Sequence, residues 1–439
     1  MKNLLCAVFA LCLFLGPVPA QVQPAPLSPE AKAAVVNTLA DLLKAKYVFP
    51  ETALKMGDLL RKNLASGAYD AIEAPDAFAR RLTADLDSVG HDKHMRVSYA
   101  PDLIRQSKNR TSSEETELKQ RQKRRERQDN YGFREVRTLP GNLGYLKFDF
   151  FSEDPDAFPV AVGAMAFLAS ADALVIDLRD NGGGNPVMIQ LITSYFFEGG
   201  PVHLNSFEYR DGNRTEQFWT LPYVPGKRIP ATDLYVLTSE RTFSGAEEFS
   251  YNLKNLKRAT LVGETTGGGA HPVRQEVIND DFWVGIPYAR AVNPVSKTNW
   301  EGTGVEPDVK VPAEKALDTA CALALEKLAA KATDTDSRRF CLWHRDGLKA
   351  KLEPLTLPES ALQACVGTYG PRRVTLENGS LYYQREGRPK GKLTPVTPDC
   401  FALEAAPAFR LKFVRSGDKV TAVEGHYEDG RVDVTPRTE

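Results

Sequence analysis

The spacing of apolar and polar positions changes rhythm three times along the chain. Between residues 28 and 90 the apolar residues recur at helical intervals: Val35, Leu39, Leu42 and Leu43, then Leu54, Leu59, Leu60 and Leu64, then Phe78, Leu82 and Leu86. Ser28-Pro29-Glu30 predicts the first helix start, with a capping hydroxyl, a proline where no donor is missed and an acid in the first turn. Further starts are predicted after Pro50 and after Pro75-Asp76. Residues 21–104 therefore read as a helical bundle. Residues 105–135 are a charged linker or exposed helix, because nearly every position up to 130 is polar and Lys119 to Arg127 carries six basic side chains.

From Val136 the rhythm becomes that of an α/β protein. Gly144 to Phe148, Ala173 to Leu178, Leu234 to Leu237 and Thr260 to Val262 are short apolar runs of the buried-strand kind. Helical patterns at Ala157–Ser170, Val187–Phe197 and Ser244–Leu256 lie between them, so a sheet layered by helices is expected over 136–315. A helical connector is predicted over 316–357. The turn signals Asn378-Gly379, Ser416-Gly417-Asp418 and Asp429-Gly430 then separate short alternating strands, which predicts a small antiparallel β-domain over 358–439.

The chain has 439 residues, 42% hydrophobic and 26% charged, with a formal net charge of −1. These values exclude a disordered or disulfide-dense chain. They give no broad basic surface for nucleic acid. The first twenty residues read as a secretory signal peptide: Lys2, an apolar block from Leu4 to Leu15, and a small-residue exit predicting cleavage after Ala20. A periplasmic or secreted protein is expected. No later apolar run approaches the ~20 residues of a membrane span. Cys6 and Cys12 would leave with the leader. Cys321, Cys341, Cys365 and Cys400 remain, either as the pairs Cys321–Cys341 and Cys365–Cys400 or as four buried thiols. None has the spacing of a metal or redox site, and no metal or cofactor is expected.

Four strings could carry chemistry. In Thr242-Phe243-Ser244-Gly245-Ala246-Glu247 a buried strand turns into a helix at Ser244. A hydroxyl there stands beside free helix amides, which is what acyl transfer needs. The same string fits a capping box, S-x-x-E. Asp177 to Gly184 runs from a strand into three glycines, either an oxyanion cradle or a tight turn. His91-Asp92-Lys93-His94 offers a base for activating a serine, or merely surface imidazoles. Asn299-Trp300-Glu301-Gly302 to Asp308 is a shaped loop in which Glu301 either orients the base or is an exposed carboxylate.

Taken in order, DKHMRV, VIDLRDNGGG, TFSGAEEF with LVGETTGGGAHP, and NWEGTGVEPDV resemble the tail-specific, or carboxy-terminal processing, serine peptidases. The branch resembled is the one that contains retinoid-binding-protein modules and the tricorn core. The resemblance covers about Tyr47 to Val311. It implies an α/β, crotonase-like (ClpP/crotonase) αβ-spiral core behind the helical bundle, with the β-domain outside the likeness. It implies a peptide or protein substrate, Ser244 as nucleophile, His94 as base and Glu301 as the acid. Gly183, Gly184 and Gly245 would supply the oxyanion hole. His271 is the runner-up base. The lysine of the family's Ser–Lys dyad falls at Gly269, and Val262 to Val273 holds no lysine, so a histidine base is favoured. The interval from His94 to Val136 is too short for a PDZ domain. A serine precedes the histidine in the tricorn-type tetrad, whereas Lys93 stands there in this chain. The alternative implied by the same resemblance is a weakly catalytic or non-catalytic binding protein for hydrophobic ligands.

Overall fold

The computed structural model describes residues 25–439. The signal-peptide reading concerns residues 1–20, which lie outside them. No helix among the described residues is long and apolar enough to cross a membrane.

Three helices open the fold, Pro29–Lys46, Pro50–Ala65 and Pro75–Gly90, each with proline in its first turn. Ser28 caps the first, its Oγ accepting from the Ala31 N–H at 3.2 Å. Their apolar stripes meet in one cluster that includes Val36, Leu39, Leu60, Phe78 and Leu82. The polar stretch that follows is helical, Pro101–Lys108 and Ser112–Gln128, and the second of these buries no residue. In place of a buried face, this helix has a capping box, with Thr111 and Glu114 bonded to each other's backbone amides, and polar tethers from Glu126 to Ser152 at 2.9 Å and from Lys123 to Asp156 at 3.0 Å.

The core is a six-stranded sheet in the order Val309–Lys310, Ala259–Gly263, Asp233–Thr238, Ala173–Asp177, Leu143–Phe148 and Phe133–Leu139. Every pairing is parallel except that of the Phe133–Leu139 edge strand. Strand Ala173–Asp177 is buried along its whole length, as its unbroken apolar run requires. Helices Ala157–Leu168, Pro186–Ser194 and Gly245–Asn255 share a core with one face. Helix Ala313–Lys331 covers the other.

A second, three-stranded antiparallel sheet joins the bundle to this core. Strand Phe282–Pro287 lies between Arg96–Tyr99 and Val273–Val277. Arg96 faces Gly285 and Val273 faces Pro287, so both outer strands begin at the same end of the sheet. The residues just before them, His94 and His271, are therefore delivered to one place although they are far apart in sequence.

The C-terminal region is an eight-stranded antiparallel meander whose strands neighbour one another in chain order from Gly367–Tyr369 to Val432–Pro436. The last residues close it into a ring: the Thr438 N–H donates to Thr368 O at 2.8 Å and the Thr368 N–H to Glu439 O at 3.2 Å. Tyr369, Phe401, Leu411, Phe413 and Val423 pack its interior.

The four cysteines are all free, so neither disulfide is formed. Cys321 and Cys341 sit on separate helices and pack as small apolar residues against the cluster holding Leu143 and Leu325. Cys365 lies in the β-domain core, its Sγ hydrogen-bonded to Ala361 O, while Cys400 is half-buried on a strand.

Candidate active site

Ser244 stands where the buried strand Asp233–Thr238 gives way to helix Gly245–Asn255. The turn between them is sewn to the neighbouring glycine loop. Thr242 Oγ1 donates to Leu178 O at 2.8 Å, and the Phe243 N–H donates to Asn181 O at 3.1 Å. At the end of this turn Ser244 takes φ 54° and ψ −120°, a conformation that non-glycine residues rarely adopt. Residues held this way need surroundings that over-determine them. Glu247 supplies part of that hold by accepting the Ser244 N–H at 2.8 Å.

Only one half of the expected capping box thus works as a cap. The Glu247 N–H, which the serine hydroxyl would serve, donates instead to the Ser244 carbonyl at 2.8 Å. The hydroxyl stays half-buried at the mouth of the helix.

Glu247 does more than its place in the box suggests. It is fully buried, and besides the Ser244 amide its carboxylate accepts the Gly268 N–H at 2.7 Å, the Gly269 N–H at 2.9 Å and the Thr266 hydroxyl. Burial raises its pKa and these donors oppose the rise. One carboxylate thereby fixes the serine turn to the loop that carries Gly269.

The two segments expected to form an oxyanion cradle touch. A Cβ on Gly183 would lie 2.7 Å from Ser244 Cβ, and one on Gly245 would lie 2.9 Å from the Gly184 amide nitrogen. Gly183 and Gly184 have φ of 110° and 134°, so glycine is required for this loop as well as for the close approach. The three expected donors are not equivalent. The Gly183 N–H is buried and committed to Asn181 Oδ1 at 2.9 Å, which removes it as an oxyanion donor. Gly184 is exposed, and neither its N–H nor that of Gly245 donates to another described residue. Asn181 was not singled out from sequence. It is fully buried, and it also donates to Phe148 O at 2.9 Å, tying the loop to the adjacent strand.

His94 reaches this centre from the N-terminal bundle. Its ring lies 4.7 Å, centroid to centroid, from that of Phe243, the residue before Ser244. Its Nδ1 is buried with no hydrogen-bond partner, and the ring makes no hydrogen bond to the Ser244 hydroxyl. Desolvation lowers the His94 pKa, against an opposing pull from Asp92. The neutral imidazole, the form that accepts a proton, is favoured.

The acids below it are Asp92 and Glu301. Asp92 Oδ1 accepts the His94 N–H at 3.2 Å. Glu301 accepts the Lys93 N–H at 2.8 Å through Oε1, and the Ala270 and His271 N–H groups at 2.5 and 3.2 Å through Oε2. Glu301 therefore holds the histidine segment through the backbone of Lys93, while the Lys93 side chain turns away toward Asp87. Asp92, His94 and Glu301 bring donor atoms within 4.8 Å of one another, near enough to hold a metal ion. Their oxygens are already engaged with amides and with His271.

His271, the runner-up base, is held by other partners. It is buried, with Nδ1 2.7 Å from Asp92 Oδ2 and Nε2 facing the Asn299 amide at 3.5 Å. The signal for Asp92 was present in the D-x-H spacing, but nothing in the sequence announced that His271 would be its partner.

Comparison with known proteins bears on this geometry. Residues 142–311 match "Peptidase family S41". Residues 29–131 match the "N-terminal domain of Peptidase_S41 in eukaryotic IRBP". Over these residues the chain is similar to peptidase family S41. A curated relative, carboxyl-terminal-processing peptidase 2, chloroplastic, of Arabidopsis thaliana, is 28% identical over 184 residues, 40% of this chain. The match spans about a third, 34%, of that relative's length. Among solved structures, the photosystem II D1 C-terminal processing protease is 15% identical with a TM-score of 0.41, covering 66% of this chain and 94% of its own. The tricorn protease is 12% identical with a TM-score of 0.38, covering 64% and 34%. The family match spans the strands and helix that carry Gly184, Ser244, His271 and Glu301, and the N-terminal match contains Asp92 and His94.

Proposed function

We propose that this chain is a serine peptidase that cuts peptide bonds through an acyl-enzyme on Ser244. The observation that carries this reading is the strained backbone of Ser244 in a turn packed directly against the glycine loop, where the Gly184 and Gly245 amides donate to no other described residue. Strain of this kind persists where it serves a site.

In the proposed reaction His94 takes the proton of the Ser244 hydroxyl as Oγ bonds to the substrate carbonyl carbon. The carbonyl oxygen becomes an oxyanion held by the Gly184 and Gly245 N–H groups. His94 then gives its proton to the amine as the C–N bond breaks. Water, deprotonated by the same imidazole, attacks the acyl carbon, and as the C–Oγ bond breaks the imidazolium returns the proton to Ser244 Oγ and the acid is released. The Ser244–His94 contact has to shorten for this, as catalytic hydrogen bonds do when substrate binds. Asp92 and Glu301 act as positioning residues, one bonded to the His94 amide and the other to the amide before it.

The segment read as a leader would place this activity in a periplasm or outside the cell. The substrate is a peptide or protein, and a carboxy-terminal segment is the target suggested by the curated relative's name.

Ser244→Ala tests the reading. Hydrolysis of a peptide substrate is expected to fall by about 10⁴–10⁶ with the fold intact. Unchanged turnover would end the assignment.

A further inference from the structure

A cavity of about 720 Å³ lies between the core and the C-terminal ring, within the size range of small-molecule sites. It opens beside the start of strand Leu143–Phe148, whose first residue pairs with Ala173, which in turn pairs with Asp233. Ser244 follows the opposite end of those parallel strands. At about 3.3 Å per residue, six residues put roughly 20 Å of sheet between the cavity and the serine. The cavity is thus separate from the peptidase centre.

Its wall is mostly apolar: Leu139, Leu143, Leu317, Leu325, Leu348 and Leu403 all contribute. Most of the charged groups on it are already paired. Lys351 meets Asp318 at 2.6 Å, His344 meets Glu428 at 2.5 Å, and Glu404 accepts from Thr394 at 2.9 Å. Arg137 has Glu135 at 3.4 Å and lies over the Tyr145 ring.

Arg410 differs. It is only 7% exposed and lies over the Trp343 ring at 4.0 Å, with one terminal nitrogen donating to Trp343 O. Its nearest acid, Asp346, is at 4.0 Å, and its Nε is buried with no partner. A largely buried guanidinium whose nearest carboxylate stands 4.0 Å away carries a desolvation cost that a closer anion at its terminal nitrogens would relieve. Burial lowers its pKa for the same reason.

We propose that this cavity binds a small amphipathic carboxylate, its alkyl body against the leucines and its head group at Arg410. Apolar area supplies most of the affinity, and the buried cation selects for the charged head.

Calorimetric titration of the purified full chain with decanoate, and separately with decan-1-ol, tests this. Decanoate is expected to bind saturably at one site, at least tenfold more tightly than the alcohol. Arg410→Gln should bring the two within about threefold of each other. Leu317→Trp, which fills the cavity from helix Ala313–Lys331, should abolish binding of both and leave peptide hydrolysis unchanged. If Arg410→Gln does not fold, the carboxylate-to-alcohol ratio and Leu317→Trp still decide. Absence of saturable decanoate binding, equal binding of the alcohol, or decanoate binding that survives Leu317→Trp would overturn the proposal.

Discussion

Gly269 and His94 occupy one space: a Cβ on residue 269 would lie 2.6 Å from His94 Cε1 and 2.3 Å from Phe243 Cζ. A side chain at 269 and an imidazole at 94 exclude each other. The resemblance puts the family's dyad lysine at this position, so a side chain there and the proposed base His94 are sterically alternative.

Gly269→Ala should therefore be a loss-of-function change even though it adds one methyl group. It forces His94 or Phe243 to move, and a misplacement of about 1 Å can cost 10²-fold. We expect kcat/KM to fall by at least about 10². Gly269→Lys should fare no better, because its Cβ meets the same Phe243 and His94 rings. Activity in either variant close to that of the unsubstituted protein would show that His94 tolerates the displacement.

The pH profile follows from the environment of His94. Desolvation holds its pKa below the ordinary value near 6.5, and Asp92 opposes that shift. The neutral ring is the working form, so activity is lost as pH falls through the lowered pKa. The acid limb of kcat/KM should have its midpoint below 6.5. Asp92→Asn removes the opposing charge and should move the limb to still lower pH, with kcat reduced because one of the two oxygens that serve His271 and the His94 amide becomes an NH2 donor. A limb that moves upward in this variant would contradict the assignment of the base.

Asn181 tests the cradle without touching a reacting group. Asn181→Ala strands the Gly183 N–H and Phe148 O, two buried polar groups, at about 1–3 kcal/mol each. Thermal or denaturant unfolding should show that loss. Activity should fall further than stability alone accounts for, since Gly184 is no longer held against Gly245. A variant of unchanged stability would mean that the loop is fixed elsewhere.

Glu247 offers the parallel test on the other side. Its carboxylate serves the amides of Ser244, Gly268 and Gly269 and the Thr266 hydroxyl. Glu247→Ala leaves these donors unpaired, and a destabilisation of at least about 3 kcal/mol is expected from their combined desolvation. Retention of the native unfolding midpoint would contradict this role.

What the sequence disclosed, and what it did not, divides along physical lines. The three opening helices were legible because Pro29, Pro50 and Pro75 act locally, through a fixed backbone angle and a missing donor. The buried strands were legible because Ala173 to Asp177 has no polar alternation to confuse it. Ser244 and the glycine loop were legible as a turn chemistry of their own. The uses of Asn181, Glu247 and His271 were not, because each is defined by partners from other elements. The fate of the cysteines was not, since a disulfide depends on Cα separations that spacing alone does not give. The ring closure between Thr368 and Thr438 was hidden for the same reason.

Alkylation checks the thiols directly. Burial pushes the Cys321 pKa up to about 12 and that of Cys365 to about 11, so both should be inert in the folded protein. Once the protein is unfolded without reductant, Cys321, Cys341, Cys365 and Cys400 should all take up iodoacetamide. Protection of any pair would restore a disulfide.

The most direct test of the account is mass-spectrometric mapping of a fluorophosphonate adduct on the folded, full-length chain. The account predicts a single adduct on Ser244, absent in Ser244→Ala and formed far more slowly in His94→Ala. An adduct on another residue, or none on Ser244 while peptide hydrolysis persists, would contradict it.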